Sequence, residues 1–357
     1  MTAHRREQGN GRTMPRLRSW RALAGLAFAF LVGVGVVLLI GKAAGFARVV
    51  DVLEGADRRW LVLCFLAEVV SFTAYGAAYR GAVAFEGGPR IGLGLSLRVI
   101  MASLAATRIV AAAGAGGLAV TYWSLRRVGF GSREAGVRML GLNTLVYLPF
   151  ALLAFVAALL ALLDIGGSAP PGMILPWLAG IPFCLVAARW VTEPGRAEWL
   201  SRPVGGWLRR AFAFAIAGTA WVRRAIRDTN GRVVFAASVV YWLADALCLW
   251  AALRAFDVHL GASEIFLVYA TGYVAMVLPL PFAGVGGVDA AMTYALTAVG
   301  VPLAASLVGV VAWRLFGFWL PTIPAAISLG LLSRTARALE QAAGQEPAEA
   351  ADVQLVT

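Results

Sequence analysis

Charged side chains are scarce in this chain. They make up 14% of its 357 residues, whereas 60% of the residues are hydrophobic and the mean hydropathy is +0.78. Too little polar sequence remains to cover the surface of a soluble globule of this size. The composition therefore excludes an ordinary soluble domain and predicts a protein that uses lipid as part of its solvent.

Histidine and cysteine are also rare. The two histidines are His4 and His259, and the three cysteines fall in apolar runs with no CxxC or Cys/His spacing between them: Cys64, Cys184 and Cys248. Neither a disulfide framework nor a zinc site is indicated. We therefore expect no metal, no cofactor and no catalytic triad. The sequence also lacks a GxxxxGK[ST] loop, so we expect no ATP-driven step within this chain.

Long apolar runs are abundant. Residues 20–41 and 145–163 are each about as long as a helix needs to cross a hydrocarbon core. The first run follows several arginines, as a signal peptide would, but it is longer than a signal-peptide core and has no clear cleavage site. We predict an all-α polytopic transmembrane helical bundle with about eight spans and two re-entrant or broken helices.

The formal charge of +12 is distributed over loops between the apolar runs. Arginine-rich stretches at 1–19, 126–138 and 189–232 predict the cytoplasmic side. The loop 42–58, with equal numbers of basic and acidic residues, and the loop 164–175, without a basic residue, predict the outside. This alternation indicates a multi-pass protein of the cell membrane with both termini in the cytoplasm. It does not suggest a nucleic-acid partner.

Two polar segments accompany the predicted spans. Residues 195–231 alternate arginine pairs with tryptophan and predict amphipathic helices on the cytoplasmic leaflet. Residues 333–357 predict a disordered cytoplasmic tail.

Ordinary spans cannot complete this topology at two places. The segment between Arg90 and Arg126 is too short for two spans, and residues 282–300 alone must return the chain across the membrane. Each place contains a near-identical pentapeptide, AGAGG at 113–117 and AGVGG at 283–287. A broken helix at each is tolerated where protein or a water-filled cavity satisfies its freed backbone groups. We predict two inverted repeats, residues 20–165 and 172–332.

The second pentapeptide has the stronger helix-breaking signal. Pro279 and Pro281 end the incoming helix, and Gly284, Gly286 and Gly287 let the backbone turn, so that a half-helix begins near Gly287. The N-terminus of such a helix suits an anionic headgroup. Asp289 falls in its first turn, either as part of a site or only as a helix-capping acid. Gly114, Gly116 and Gly117 are the corresponding candidates in the first element.

Ionisable residues inside predicted spans are costly, and each is a candidate for function. They are Glu68, Arg80, Arg98, Arg108, Asp245, Asp289 and Arg314. We expect Arg80 and Arg98 to extend to the cytoplasmic interface. We expect Arg108 and Arg314 to face a central cavity and bind a lipid phosphate, with Asp289, Asp245 or Glu68 as counter-charges or proton carriers. Structural salt bridges would use the same residues.

The C-terminal half resembles the lysylphosphatidylglycerol synthase transmembrane region, a flippase-like family. That family carries Pro-x-Pro-Gly-Gly-x-Gly-x-x-Glu, then Gly-x-Pro, then an arginine in a tryptophan-rich span. The matching residues here are Pro279, Pro281, Gly284, Gly286, Gly287, Gly300, Pro302, Arg314 and Trp319. Two positions depart from the pattern, since Phe282 and Ala283 replace the glycine pair and Asp289 replaces the glutamate. The resemblance extends over nearly all of residues 20–332.

The resemblance implies a lipid transporter, because the membrane region of that family moves an aminoacylated phospholipid between leaflets. No synthase domain follows here, so we expect a stand-alone protein that is not an enzyme and whose partners are membrane lipids, above all anionic phospholipids. A second copy of the chain or a separate soluble synthase is an open alternative as a protein partner. Two other functions stay open: an intramembrane transferase acting on a lipid-linked sugar, and a scaffold that uses the AGxGG elements only for close helix packing.

Overall fold

The computed structural model describes residues 54–109, 115–191, 220–275 and 286–354, with single residues at 42, 47, 51, 52, 193 and 218. Within these ranges the protein is helical and contains no strand, which confirms the predicted all-α class. The helices are α1 (Arg58–Ala84), α2 (Leu93–Ile109), α3 (Ala115–Arg127), α4 (Ser132–Leu162), α5 (Pro171–Val191), α6 (Thr229–Arg254), α7 (Ala262–Val274), α8 (Gly287–Ala298), α9 (Leu303–Arg314), α10 (Leu320–Gly330) and α11 (Leu332–Gln354). A 3-10 turn follows α1, and a π-helical turn, Leu315–Trp319, joins α9 to α10.

Five of these helical segments are long and apolar enough to cross a membrane. They are Arg58–Gly87, Ser132–Leu162, Pro171–Trp190, Thr229–Arg254 and Leu303–Gly330. The protein is therefore an integral membrane protein of several spans. The predicted span at 20–41 lies outside the described residues, so the expected total of about eight stays a prediction.

Helices α1 and α6 form the centre of the bundle and pack antiparallel along their whole length. The Cys64 thiol donates to the Cys248 carbonyl at 3.4 Å near one end of the contact, and the Ser71 hydroxyl donates to the Tyr241 carbonyl at 3.1 Å further along. Gly81 lies against Val234 beyond these contacts. The antiparallel register places the middle of α1 directly opposite the middle of α6.

The bundle has an arginine-rich end and an arginine-poor end. At the first, Arg224 pairs with Glu86 at 2.7 Å, and Arg138 donates to the Phe85 carbonyl at 2.7 Å. At the second, the Asp57 amide donates to the Ala255 carbonyl at 2.9 Å. The loops fall on the two ends as their charges predict. The assignment of the arginine-rich end to the cytoplasm stays a prediction.

Helices α2 and α3 form an antiparallel hairpin on either side of the first AGxGG element. The Ser103 hydroxyl donates to the Gly117 carbonyl at 2.9 Å, and the Gly116 backbone contacts the Ala106 carbonyl. The two helices have 17 and 13 residues, which is less than the roughly 20 needed for a span. The hairpin starts near the arginine-rich end and returns to it, because Arg127 at the end of α3 pairs with Glu340 at 2.6 Å.

Helices α7 and α8 flank the second element and are similarly short, with 13 and 12 residues. They pack together where Gly272 meets Met292, and α7 starts at the arginine-poor end, where the Ser263 hydroxyl donates to the Gly166 carbonyl at 2.6 Å. Both hairpins therefore have the lengths expected of re-entrant elements. Their tips, 110–114 and 276–285, lie outside the described residues, as do Gly114, Pro279, Pro281 and Gly284. The re-entrant paths and the inverted repeat stay predictions.

One of the two polar segments differs from the sequence-based expectation. Helix α11 continues through most of the predicted disordered tail, because Ala336 and Leu339 are buried against the bundle and Glu340 is paired with Arg127. The described part of the predicted amphipathic segment has one face against the protein and one exposed, since Val222 and Ala225 are buried and Arg223 and Arg227 are exposed. Trp221 is fully buried, with its ring 5.0 Å from that of Phe85. Residues 195–217 of that segment lie outside the described residues.

Candidate functional site

A cavity of about 660 Å³ lies between the central helix pair, the first hairpin and the π-helical turn. Its size is within the roughly 300–1,000 Å³ range of small-molecule sites. Five of the predicted site residues line it: Glu68, Arg108, Gly117, Asp245 and Arg314. The structure thus brings together residues from five helices that are separated by up to 246 positions in the chain.

Arg314 forms a buried ion pair with Asp289. Its Nε donates to Asp289 Oδ1, and both side chains are 10% exposed. Asp289 Oδ2 meanwhile accepts from the Gly286 amide at 2.9 Å and so caps the N-terminus of α8. Asp289 therefore acts as the cap and as the counter-charge of Arg314. Arg314 Nη2 is buried without a hydrogen-bond partner.

Glycine is needed just before α8 because of its backbone conformation. Gly286 has a φ of 85°, which disfavours residues with a Cβ, and α8 begins at Gly287, where the sequence places a half-helix. Neither glycine is among the residues that line the cavity. They form the start of α8, where the Gly286 amide donates to Asp289, and so they hold Asp289 in place without contacting the cavity.

Arg108 is also buried, but unlike Arg314 it has no carboxylate partner among the described residues. It is 2% exposed, its Nη1 donates to the Thr322 hydroxyl, and its Nη2 donates to the Gly317 carbonyl at 3.4 Å. Its Nε has no partner. The guanidinium carbon lies 4.1 Å from the centre of the Phe318 ring, a cation–π contact. A buried charge held only by neutral groups is costly.

The π-helical turn supplies the carbonyl that Arg108 uses. Pro321 has no amide hydrogen, so it cannot form the usual helical hydrogen bond to the carbonyl four residues earlier, which is that of Gly317. That carbonyl is left available to Arg108 Nη2. Phe318, in the same turn, also lies 5.3 Å from the guanidinium carbon of Arg314. Both arginines therefore lie close to one aromatic ring.

Glu68 and Asp245 approach each other across Gly317. A Cβ at Gly317 would lie 3.0 Å from Glu68 Oε1 and 3.7 Å from Asp245 Oδ1, so a glycine is needed for this close approach. Asp245 accepts three hydrogen bonds, from the hydroxyls of Tyr269 at 2.6 Å and Tyr273 at 2.9 Å and from the Trp313 indole at 2.8 Å. Glu68 Oε1 is buried and has no partner.

The glycines of the first element serve helix packing. A Cβ at Gly116 would overlap the Ala106 carbonyl, and a Cβ at Gly117 would overlap the Thr107 hydroxyl. These contacts bring the backbones of α2 and α3 together, as small residues do between membrane helices. Gly117 also lines the cavity, whereas Gly116 does not. Arg80 and Arg98 are exposed, as expected of side chains that extend to an interface.

Most residues of the cavity wall were not predicted from the sequence. Its aromatic members are Phe72, Tyr75, Tyr147, Phe150, Trp177, Tyr241, Trp242, Tyr273, Trp313 and Phe318. Polar groups that were also missed include Ser71, Ser103, Thr107, Thr121 and Asn143. Aromatic residues are common in membrane spans, so their types alone gave no signal. The proline at 321 was the one available sign that a backbone carbonyl near Arg108 would be free.

This arrangement defines a class: a polytopic helical membrane protein with a cavity lined by two buried arginines. Residues 23–325 match the family described as the lysylphosphatidylglycerol synthase TM region, and the chain belongs to that family. The match confirms the resemblance drawn from the proline–glycine and arginine motifs, and it is consistent with a role related to membrane lipids. Comparison with proteins of curated function gave no significant match.

Proposed function

We propose that this protein moves an anionic phospholipid between membrane leaflets, with the headgroup passing through the cavity. The observation that carries the proposal is Arg108, a buried cation without a carboxylate partner among the described residues. Holding such a charge out of water lowers stability, and that cost is expected where an anionic ligand neutralises the charge.

A phosphate group fits the donors that remain. Arg108 Nε and Arg314 Nη2 are buried N–H groups without partners, and both guanidinium groups lie close to the Phe318 ring. Guanidinium groups bind phosphate oxygens through paired, charge-assisted hydrogen bonds. The hydroxyls of Ser103 and Thr107 and the amide of Asn143 line the same space and suit the polar part of a headgroup. The aromatic wall suits its carbon atoms.

The proposal also states how the protein lies in the membrane and that it catalyses no reaction. The arginine-rich end of the bundle lies on the cytoplasmic side of the cell membrane, with both termini on that side. The protein transports lipid and makes no covalent change to it, and its partners are membrane lipids.

The experiment is a leaflet-accessibility assay in liposomes that contain the purified protein. Fluorescent phosphatidylglycerol, phosphatidylethanolamine and phosphatidylcholine are tested separately, and a membrane-impermeant reductant reports how much label reaches the outer leaflet. The proposal expects faster loss of fluorescence than in protein-free liposomes, fastest for phosphatidylglycerol. Movement equal to that of empty liposomes for all three headgroups would refute it.

The carboxyl pair gives some support to a second function, an intramembrane transferase that acts on a lipid-linked sugar. Such an enzyme needs an acid that can act as a general base near its substrate, and Glu68 and Asp245 both line the cavity. Mass spectrometry of lipids extracted from the same liposomes, after incubation with a lipid-linked sugar, distinguishes the two functions. A transporter returns the lipid unchanged, and a transferase returns a new product.

A further inference from the structure

The carboxyl groups of Glu68 and Asp245 form a pair at the centre of the bundle. The antiparallel register of α1 and α6 is fixed on both sides of the pair by the contacts Cys64–Cys248 and Ser71–Tyr241. Both carboxyl groups then approach Gly317, at the distances given above. Glu68 is 4% exposed and Asp245 is 5% exposed. Two acidic groups thus share one buried corner of the cavity.

The two groups differ in their hydrogen bonds. Asp245 accepts from two tyrosine hydroxyls and one indole, which together stabilise a negative charge on it. Glu68 lines the cavity, and its Oε1 is buried against Gly317 and accepts no hydrogen bond. A second negative charge on Glu68 would lie next to the first and would have only the Cys248 thiol, a weak donor, to stabilise it. A proton on Glu68 removes that repulsion.

The surroundings contain no cation that is hydrogen-bonded to Glu68 among the described residues. The ionisable groups that face the pair from α1, α2, α6, α7 and α9 are Cys64, Arg108, Tyr241, Cys248, Tyr269, Tyr273 and Arg314. Arg314 is already paired with Asp289. Arg108 is within electrostatic reach of Glu68 and forms no ion pair with it.

We propose that Glu68, with Asp245 behind it, binds one exchangeable proton, and that the proton and an anionic headgroup occupy the cavity together. An ionised Glu68 partly neutralises Arg108 and repels an anion. A protonated Glu68 leaves Arg108 free to bind the anion. By linkage, the anion also favours protonation of Glu68 to the same degree.

The coupling balances the charge of the cavity both when the proton and the lipid are bound and when both are absent. With one proton and one singly charged lipid bound, the added charges cancel. With both absent, ionised Glu68 offsets Arg108. The protein can therefore change conformation in either form without moving net charge across the membrane. The coupling rests on the proposed function, whereas the proton site stands without it.

A proton suits this pair better than a metal ion. Sodium or calcium needs several oxygen ligands, and both Asp245 oxygens already accept hydrogen bonds. No group of three or more His, Cys, Asp or Glu side chains that could hold a metal occurs in the part of the chain that the structure describes. A proton needs only the one free oxygen of Glu68.

Infrared spectroscopy of the purified protein in lipid tests the proton site without requiring transport. Wild type is expected to show the carbonyl band of a protonated carboxyl group near neutral pH. Glu68→Gln should lose this band, Glu68→Asp should keep one, and Glu54→Gln, which changes an exposed acid just before α1, should leave it unchanged. Absence of the band in wild type, or its persistence in Glu68→Gln, would overturn the proposal.

A pH gradient across the liposomes tests the coupling. With membrane potential clamped by potassium and valinomycin, one pH unit should shift the steady-state leaflet ratio of labelled phosphatidylglycerol up to about tenfold toward the alkaline side. In Glu68→Gln the ratio should stay near one. Wild-type lipid movement with a ratio of one would refute the coupling and leave the proposed function intact. If no lipid moves at all, the proposed function fails and the infrared band alone decides the proton site.

Discussion

The two buried arginines of the cavity differ in what neutralises them. Arg314 is balanced by Asp289, whereas Arg108 is held by a hydroxyl, a carbonyl and an aromatic ring. A pair of this kind is expected to stabilise the fold relative to either partner alone. A lone cation is expected to serve a ligand at the expense of stability.

Substitution of each arginine by methionine should separate these roles. Arg314→Met leaves the Asp289 carboxylate buried and unpaired, and we expect it to cost about 3–5 kcal/mol of stability. Arg108→Met leaves no carboxylate unpaired and keeps an apolar contact with Phe318, so we expect a cost below about 1 kcal/mol or a gain. Thermal unfolding in detergent measures both. Equal losses in the two variants would contradict this assignment.

The Asp289–Arg314 pair should also show energetic coupling. Asp289→Asn removes the charge and keeps an oxygen that can accept from the Gly286 amide. Because the second substitution finds the partner already neutral, the double variant Asp289→Asn/Arg314→Met should lose about 1–3 kcal/mol less than the sum of the single losses. A double-mutant cycle of unfolding midpoints gives this value. Additive losses would show that the pair contributes little.

At the scale of elements, the first hairpin depends on the close contact of two backbones. Gly116 and Gly94 are each the second residue of a helix, α3 and α2, and only Gly116 has another backbone within reach of an added Cβ. We expect Gly116→Ala to cost about 1–3 kcal/mol through overlap with the Ala106 carbonyl. Gly94→Ala is the matched control and should be neutral or stabilising. Thermal unfolding that ranks the two the other way would argue against a tight hairpin.

Some of these elements follow from sequence-based reasoning. The start of α8 near Gly287 and the position of Asp289 in its first turn follow from local rules for glycine, proline and helix capping. The short helices around each AGxGG motif occur where charge counting left too few residues for full spans. In each case the sequence pattern that predicts the element consists of a few neighbouring residues or of the spacing between charged loops.

Other features depend on contacts between distant parts of the chain. The π-helical turn, the hydrogen bond from Arg108 to Thr322 and the three donors around Asp245 join residues from different helices. No single stretch of sequence specifies them. The approach of Glu68 to Asp245 is of the same kind, because these two residues become neighbours only when α1 and α6 pack antiparallel.

At the scale of the whole molecule, the two ends of the bundle differ in charge, and this predicts its orientation. Gly131 lies in a loop at the arginine-rich end and His259 in a loop at the other, both open to solvent. In a background with the exposed Cys184 replaced by serine, a cysteine at 259 should react with an impermeant maleimide on intact cells. A cysteine at 131 should react only after permeabilisation. The reverse pattern would invert the proposed topology.

The central claim is that Arg108 binds the headgroup of the transported lipid. The most direct measurement is the rate at which labelled phosphatidylglycerol changes leaflet in liposomes that contain wild type, Arg108→Met or Arg98→Met. Arg98 is an exposed arginine on the same helix and provides the matched control. We expect Arg108→Met to slow movement at least about tenfold, which corresponds to about 1.4 kcal/mol, with Arg98→Met unchanged. A wild-type rate in Arg108→Met would contradict the account.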